Sequence, residues 1–267
     1  MRSSTSPHLV VLRCPSPSQA SSPPSSCQAP SRTTRWRCGF SRRSDEGPLH
    51  HGDRAGLRAE AQEAGRRFGI AEYKVLDNHD GELEPTLAVR QQVIRRIRSW
   101  QADVVIAPRP NDCHPDHRYA GVVVQDSAYM VVVPNVAPDT QPLRRDPVFL
   151  HSYDYFQRPN PFRPDVAVAI DAVIERKIKG LDAHESQMYE WLPWVDGTLD
   201  AVPREPAARL AWLRQTRSGQ PIRDDVRSAQ EDGAKAEGVK DAEAFEVCEY
   251  GRRPSEADLR RLFPFFD

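Results

Sequence analysis

The chain has 267 residues, 39% of them apolar and 28% charged, with a formal net charge of −1. No apolar run approaches the roughly 20 residues of a spanning helix, which excludes an integral membrane protein of that kind. The near-zero charge offers no electrostatic case for a nucleic-acid partner, and five cysteines without a CxxC pair or regular spacing argue against a disulfide scaffold or a cysteine-built zinc site.

Composition breaks sharply near residue 50. Residues 1–50 hold 12 Ser, 7 Pro, 7 Arg and 3 of the 5 Cys, and no acid precedes Asp45. Seven basic residues against two acidic ones give this stretch +5, which leaves −6 for residues 51–267. Its one apolar run, Leu9-Val10-Val11-Leu12, leads into a Ser/Pro tract from Pro15 to Pro30. Proline at that density removes backbone donors and breaks helices, and so few large apolar side chains do not offset the entropy of ordering the segment. Residues 1–55 therefore read as a disordered or frame-shifted N-terminal segment. Three readings compete: a plain tail, a transit peptide (Arg- and Ser-rich, acid-poor, yet too proline-rich for a long amphipathic helix), and translation in a displaced frame or from a mispredicted start over about residues 9–50.

From about Gly56 the pattern is that of a folded chain. Helix formers fill 56–68, with Gly69 as a stop. Tyr73 to Leu76 is a short strand candidate, and Asn78-His79-Asp80-Gly81 is a turn. Leu87, Val93, Ile94 and Ile97 fall near helical spacing in 86–100. Asp103-Val104-Val105-Ile106-Ala107 is a short, almost uniformly apolar strand of the kind covered on both faces. A loop over Pro108–Cys113 follows, then a helix over 116–131. Phe149-Leu150 and Val166 to Ile170 are further strand candidates, 172–191 a helix, 203–240 surface helices and loops, and 241–250 a final helix. This alternation predicts an α/β fold, a parallel sheet with flanking helices, with its N-terminal strands lost or disordered. The domain reading is an α/β domain over 56–200 and a C-terminal helical extension over 201–267.

The chemistry concentrates in Arg109-Pro110-Asn111-Asp112-Cys113-His114-Pro115-Asp116-His117-Arg118. This stretch leaves the apolar strand and enters a helix, at the sheet edge where ligands bind in open α/β folds. Pro115 suits the first helical turn, and His114 and His117, three apart, can face the same way. Imidazole is the commonest neutral metal ligand, and a carboxylate such as Asp116 can fix its orientation. A bare HxxH is weak. The structural alternative is a histidine pair that caps the helix and bonds loop carbonyls.

Strand, HPDHR, then helix resembles the PIG-L or LmbE-like family of zinc-dependent de-N-acetylases. Arg58-Ala59-Glu60-Ala61 with Phe68-Gly69-Ile70, Asp80-Gly81-Glu82-Leu83, and Ala183-His184-Glu185-Ser186-Gln187 resemble further segments of that family, in its order, over about residues 57–190. The resemblance implies a Rossmann-like fold and removal of an N-acetyl group from an N-acetylglucosamine-type substrate with Zn2+. It implies His117 as a metal ligand, His114 as a carbonyl-polarising or oxyanion-stabilising group, and Asp116 as the residue that tunes a histidine. Asp80 and Arg58 become substrate-contact candidates, set against the plainer readings of a self-bonded turn aspartate and a solvated helix face. The family's opening HPDDE motif is not found in the sequence. Ser6-Pro7-His8 is its nearest relic and makes His8 a second metal candidate, with Asp112, Asp80, Asp45 or His51 as possible substitutes. Zinc sites use three or four protein ligands, so activity of this chain is expected to be impaired.

For the remaining residues the expectations are plainer. His184 suits a surface or supporting role better than ligation. Tyr189, Trp191 and Trp194 suit core packing or a lid better than a sugar platform. Cys113 beside His114 gives a weaker, thiol-enzyme reading. The leading expectation is a cytoplasmic hydrolase acting on a small N-acetyl sugar, with no nucleic-acid partner and oligomeric state left open. The alternative is a non-catalytic carbohydrate-binding or interaction protein on the same fold.

Overall fold

Two parallel strands form the centre of the sheet: β4 (Val104–Ala107) and β5 (Val148–Ser152), paired from Val104 opposite Val148 to Ala107 opposite His151. The computed structural model describes residues 10–13, 35–38, 54–218, 222–229 and 238–263. Because strand side chains alternate, β4 and β5 feed two cores. Val105, Ala107 and Phe149 pack with α2 (Leu87–Trp100) and α3 (Pro115–Ser127). Val104, Ile106, Val148 and Leu150 pack with Leu262 and Phe263 at the end of α8 (Glu256–Leu262). Burial on both faces is why the run is apolar without alternation.

Five more strands complete the sheet: β1 (Val10–Arg13), β2 (Arg35–Cys38), β3 (Glu72–Tyr73), β6 (Val166–Ala169) and β7 (Ala242–Val247), in the order β3-β2-β1-β4-β5-β7-β6. The α/β class holds, but three features of the sheet differ from the sequence expectation. The sheet is mixed: β2–β3 and β4–β5 are parallel, whereas β1 is antiparallel to both its neighbours and β7 to both of its own. Two short strands stand at Val10–Arg13 and Arg35–Cys38, where loss of strands was expected, and β1 pairs the otherwise open edge of β4. The rest of the 1–55 segment, except the first residues of α1 (Arg54–Phe68), lies outside the described residues.

The third difference is at 241–250, which is a strand and not a helix. Ala and Glu favour helix, but by tenths of a kcal/mol per residue. Inserting Ala242–Val247 between β5 and β6 satisfies the backbone groups of both edges, with Leu150 opposite Val247 and Val166 opposite Phe245. The stretch beyond residue 200 is therefore not purely helical. The helix expected over 172–191 is broken into α4 (Ile174–Asp182), a wide π-type turn at Ser186–Trp191, and α5 (Leu192–Val195). Beyond these lie α6 (Pro206–Leu213) and α7 (Asp224–Ser228).

Local signals explain the helix ends. Thr86 caps α2 by accepting the Val89 N–H, and Gln101 ends it in the left-handed region at φ 50°. Gly69, at φ 73°, stops α1. Between α3 and β5 the chain crosses a long irregular segment organised by one side chain. Arg98 of α2, only 1% exposed, donates to the carbonyls of Met130, Val131, Val133, Val136, Ala137 and Thr140. Among the described residues no helix is long and apolar enough to cross a membrane.

Candidate functional site

The loop after β4 carries the histidines to the carboxyl edge of the sheet. His114 is the N-cap of α3: its extended backbone lets Nδ1 accept the Asp116 N–H at 3.2 Å, and Pro115 opens the helix. The capping alternative thus holds for His114. His117, 3% exposed, faces inward one turn later, with its ring 4.8 Å from that of His114. Its Nδ1 lies 3.1 Å from Asp112 Oδ1. That same oxygen accepts the His114 N–H at 2.9 Å. Burial by itself would raise the Asp112 carboxyl, but the hydrogen bonds from His117 and the His114 amide outweigh it and hold the group below its ordinary range. Arg118 closes the loop by donating to the Asp112 carbonyl at 2.7 Å.

Asp112, and not Asp116, is the carboxylate against His117. Asp116 does something else: its two oxygens accept the N–H groups of Gly81 (2.8 Å) and Leu83 (3.2 Å). The Asp80-Gly81 turn, which needs glycine at φ 81°, is thereby pinned to the first turn of α3. Asp80, Asp112, His114, Asp116 and His117 therefore belong to one region. Arg58 is directed to the exposed Asp77 carboxylate at 3.0 Å, three residues before Asp80. His8, Asp45 and His51 lie outside the described residues.

Other family-like segments prove to be a structural latch. Glu60 of α1 accepts both the Ser186 hydroxyl (2.7 Å) and the Ser186 N–H (3.1 Å), and Arg67 binds Asp182 at 2.6 Å. Gly180 lets α4 close on α1, since a Cβ there would stand 2.2 Å from the Phe68 ring. His184 at this joint is held neutral, its pKa lowered to about 4 by burial. Tyr189 is buried as expected, but Trp191 (43% exposed) and Trp194 (49%) stack on each other at the surface, so core packing is overturned for those two. The thiol of Cys113 is pushed up by desolvation and then by the Asp112 charge, which disfavours the thiolate a thiol enzyme needs.

Two supporting residues carried no role in the sequence reading. Arg109 makes a bidentate pair with Asp154 at 2.7 and 2.6 Å and donates to the carbonyls of Phe156 and Asn160. It ties the loop after β4 to the loop after β5. His151, at the carboxyl end of β5, has Nδ1 3.3 Å from the Pro108 carbonyl and Nε2 3.3 Å from Gln125 Nε2 on α3. Burial lowers the pKa of its imidazole. The only hint in the sequence was a polar residue ending an apolar strand.

Gly121 lets α3 approach this loop, since a Cβ would come within 2.6 Å of the Pro108 carbonyl oxygen. Gly121→Ala is expected to cost about 1–3 kcal/mol by overpacking against backbone. The check is a lower urea midpoint at unchanged m-value.

Among the described residues no group of three or more His, Cys, Asp or Glu side chains is arranged to hold a metal ion. One candidate ligand, His117, with a carboxylate behind it does not make a zinc site, so the described residues by themselves do not fit that ion.

Comparison with known proteins agrees with the loop. Residues 34–128 match the family model PIG-L, GlcNAc-PI de-N-acetylase. A diacetylchitobiose deacetylase of Thermococcus kodakarensis is 30% identical over 132 residues, 48% of this chain and 48% of that protein. The chain thus spans about half the length of the curated relative it matches. Among solved structures, the inhibitor-bound N,N'-diacetylchitobiose deacetylase of Pyrococcus horikoshii superposes with TM-score 0.52 at 21% identity, over 79% of this chain and 71% of that one. GalB, the 4-carboxy-2-hydroxymuconate hydratase of Pseudomonas putida, gives TM-score 0.51 at 15% identity, over 76% and 74%. At these identities the structures establish the fold alone, and that fold carries more than one chemistry. The matched segment, which holds the HPDH loop, is similar to the PIG-L de-N-acetylase family.

Proposed function

We propose that this chain hydrolyses the N-acetyl group of an N-acetylglucosamine-type sugar. The observation that carries the reading is the His117–Asp112 contact on the β4–α3 loop, inside the segment that matches the de-N-acetylase model. A carboxylate on Nδ1 fixes the ring's orientation and tautomer, which is how acid–base and metal-bound imidazoles are held. The names of the matched family and of the Thermococcus relative support the substrate class.

Amide hydrolysis needs a group that takes a proton from water, a donor for the developing oxyanion, and a proton for the departing amine. In this reading His114 faces the acetamide oxygen, His117 stands beside the attacked carbon, Asp116 holds the Asp80 turn as a wall, and Asp80 and Arg58 meet sugar hydroxyls. No step is assigned to a metal. Zinc is the ion the family resemblance implies, with His8 as a further candidate ligand. The rate is proposed to be impaired, because the sequence lacks HPDDE. A cytoplasmic location remains part of the same reading.

The test is acetate release from N,N'-diacetylchitobiose and from N-acetylglucosamine, alongside metal analysis of the purified chain. His117→Ala is expected to reduce acetate release by at least about 100-fold, the lower end of the range for a positioned acid–base group. Acetate release unchanged in that variant, with the fold intact, overturns the role of the loop. The missing ligand group among the described residues favours a second reading, a sugar-binding protein without turnover. A zinc-free chain that binds the disaccharide and releases no acetate supports that reading.

A further inference from the structure

His151 is remote from the histidine pair in sequence, yet it contacts both elements that present them: the backbone carbonyl of Pro108 in the loop and the side chain of Gln125 on α3. A carbonyl oxygen can only accept, so the 3.3 Å contact to Pro108 places the His151 proton on Nδ1. Nε2 is then the acceptor for the Gln125 amide at 3.3 Å. Pro108 is the first residue of the loop that carries Asp112. Gln125 lies eight residues after His117 on α3, and Gly121 stands midway, where a Cβ would come within 2.6 Å of the same Pro108 carbonyl oxygen. The ring is 6% exposed, so neither bond is exchanged for water at low cost.

We infer that His151 is a positioning residue for this site: it staples the start of the β4–α3 loop to helix α3 and so sets the register in which Asp112 meets His117. Its effect on rate rests on the hydrolase reading, whereas its effect on the geometry of His117 does not. The inference assigns the Pro108 contact as the decisive one. The asparagine amide nitrogen, a donor, overlays imidazole Nδ1, and the glutamine amide oxygen, an acceptor, overlays Nε2. His151→Asn can therefore keep the Pro108 bond, His151→Gln only the Gln125 side, and His151→Leu neither.

The experiment is a set of 15N-histidine ring spectra at one fixed pH on the full chain and the three variants, with acetate-release kinetics beside them. The native spectrum is expected to show His151 as the Nδ1–H tautomer. The His117 ring signals are expected to move in His151→Leu and His151→Gln and to return in His151→Asn. In parallel, kcat falls on the order of 10- to 100-fold in the leucine variant with little change in KM, as for a misplaced catalytic group, and recovers in the asparagine variant. Unchanged His117 signals in a folded leucine variant overturn the inference, as does equal behaviour of the asparagine and glutamine variants. If His151→Leu does not fold, the asparagine–glutamine comparison decides. If the native chain releases no acetate, the hydrolase reading fails while the spectra still decide the positioning role.

Discussion

Replacing Arg109 with leucine is expected to destabilise the fold by about 3–5 kcal/mol, the cost of leaving one member of a buried pair alone. Arg109 is 6% exposed and Asp154 7%, and the two bonds between them are short and parallel. Loss of the guanidinium leaves a buried carboxylate whose remaining bond is the Phe156 N–H at 2.9 Å, and it removes donors from the Phe156 and Asn160 carbonyls. In a domain of this size the expected fall in Tm is on the order of 10 °C. The double variant Arg109→Leu/Asp154→Leu should regain a large share, because it removes the uncompensated charge. A double variant as unstable as the single one would show that loop packing, not charge, sets the cost. Thermal unfolding followed by circular dichroism reads both.

The second large effect is expected at Arg98. Arg98→Leu removes donors from six carbonyls in the segment between α3 and β5, at about 1–3 kcal/mol for each that stays buried. The segment can open to water, so the net loss is expected at about 3–5 kcal/mol, with hydrogen exchange rising most over residues 130–143. Arg98→Lys should recover less than half. An ammonium offers three donors at one point, where the guanidinium spreads five over a plane. Exchange that rises evenly through the whole fold would sink the idea of a local organiser.

Much of the fold was legible from neighbours along the chain. The apolar run at 104–107 announced a strand covered on both faces, Thr86 and Gln101 frame a helix read from its spacing, and Pro115 marked the start of α3. The site was legible in part for the same reason. Strand, loop and HPDHR lie within one short segment, so their order alone put His114 and His117 at the carboxyl edge. Spacing favoured Asp116, next to His117, over Asp112, which lies five residues earlier in the loop. The choice depended on Gly81 and Leu83, some 33–35 residues away, which claim the Asp116 oxygens. The strand at 242–247 was misread because its composition suits a helix, and nothing in it reveals that β5 and β6 leave a gap.

The sequence alone determined the elements whose cause is local: alternation, caps, glycine stops and the HPDH loop on its strand. The tertiary structure decided which carboxylate faces His117, that Arg109 pairs with Asp154 across 45 positions, that Trp191 and Trp194 remain at the surface, and that His151 holds the loop. Periodicity records only which face of an element is buried, whereas these contacts depend on which distant element fills the space beside it.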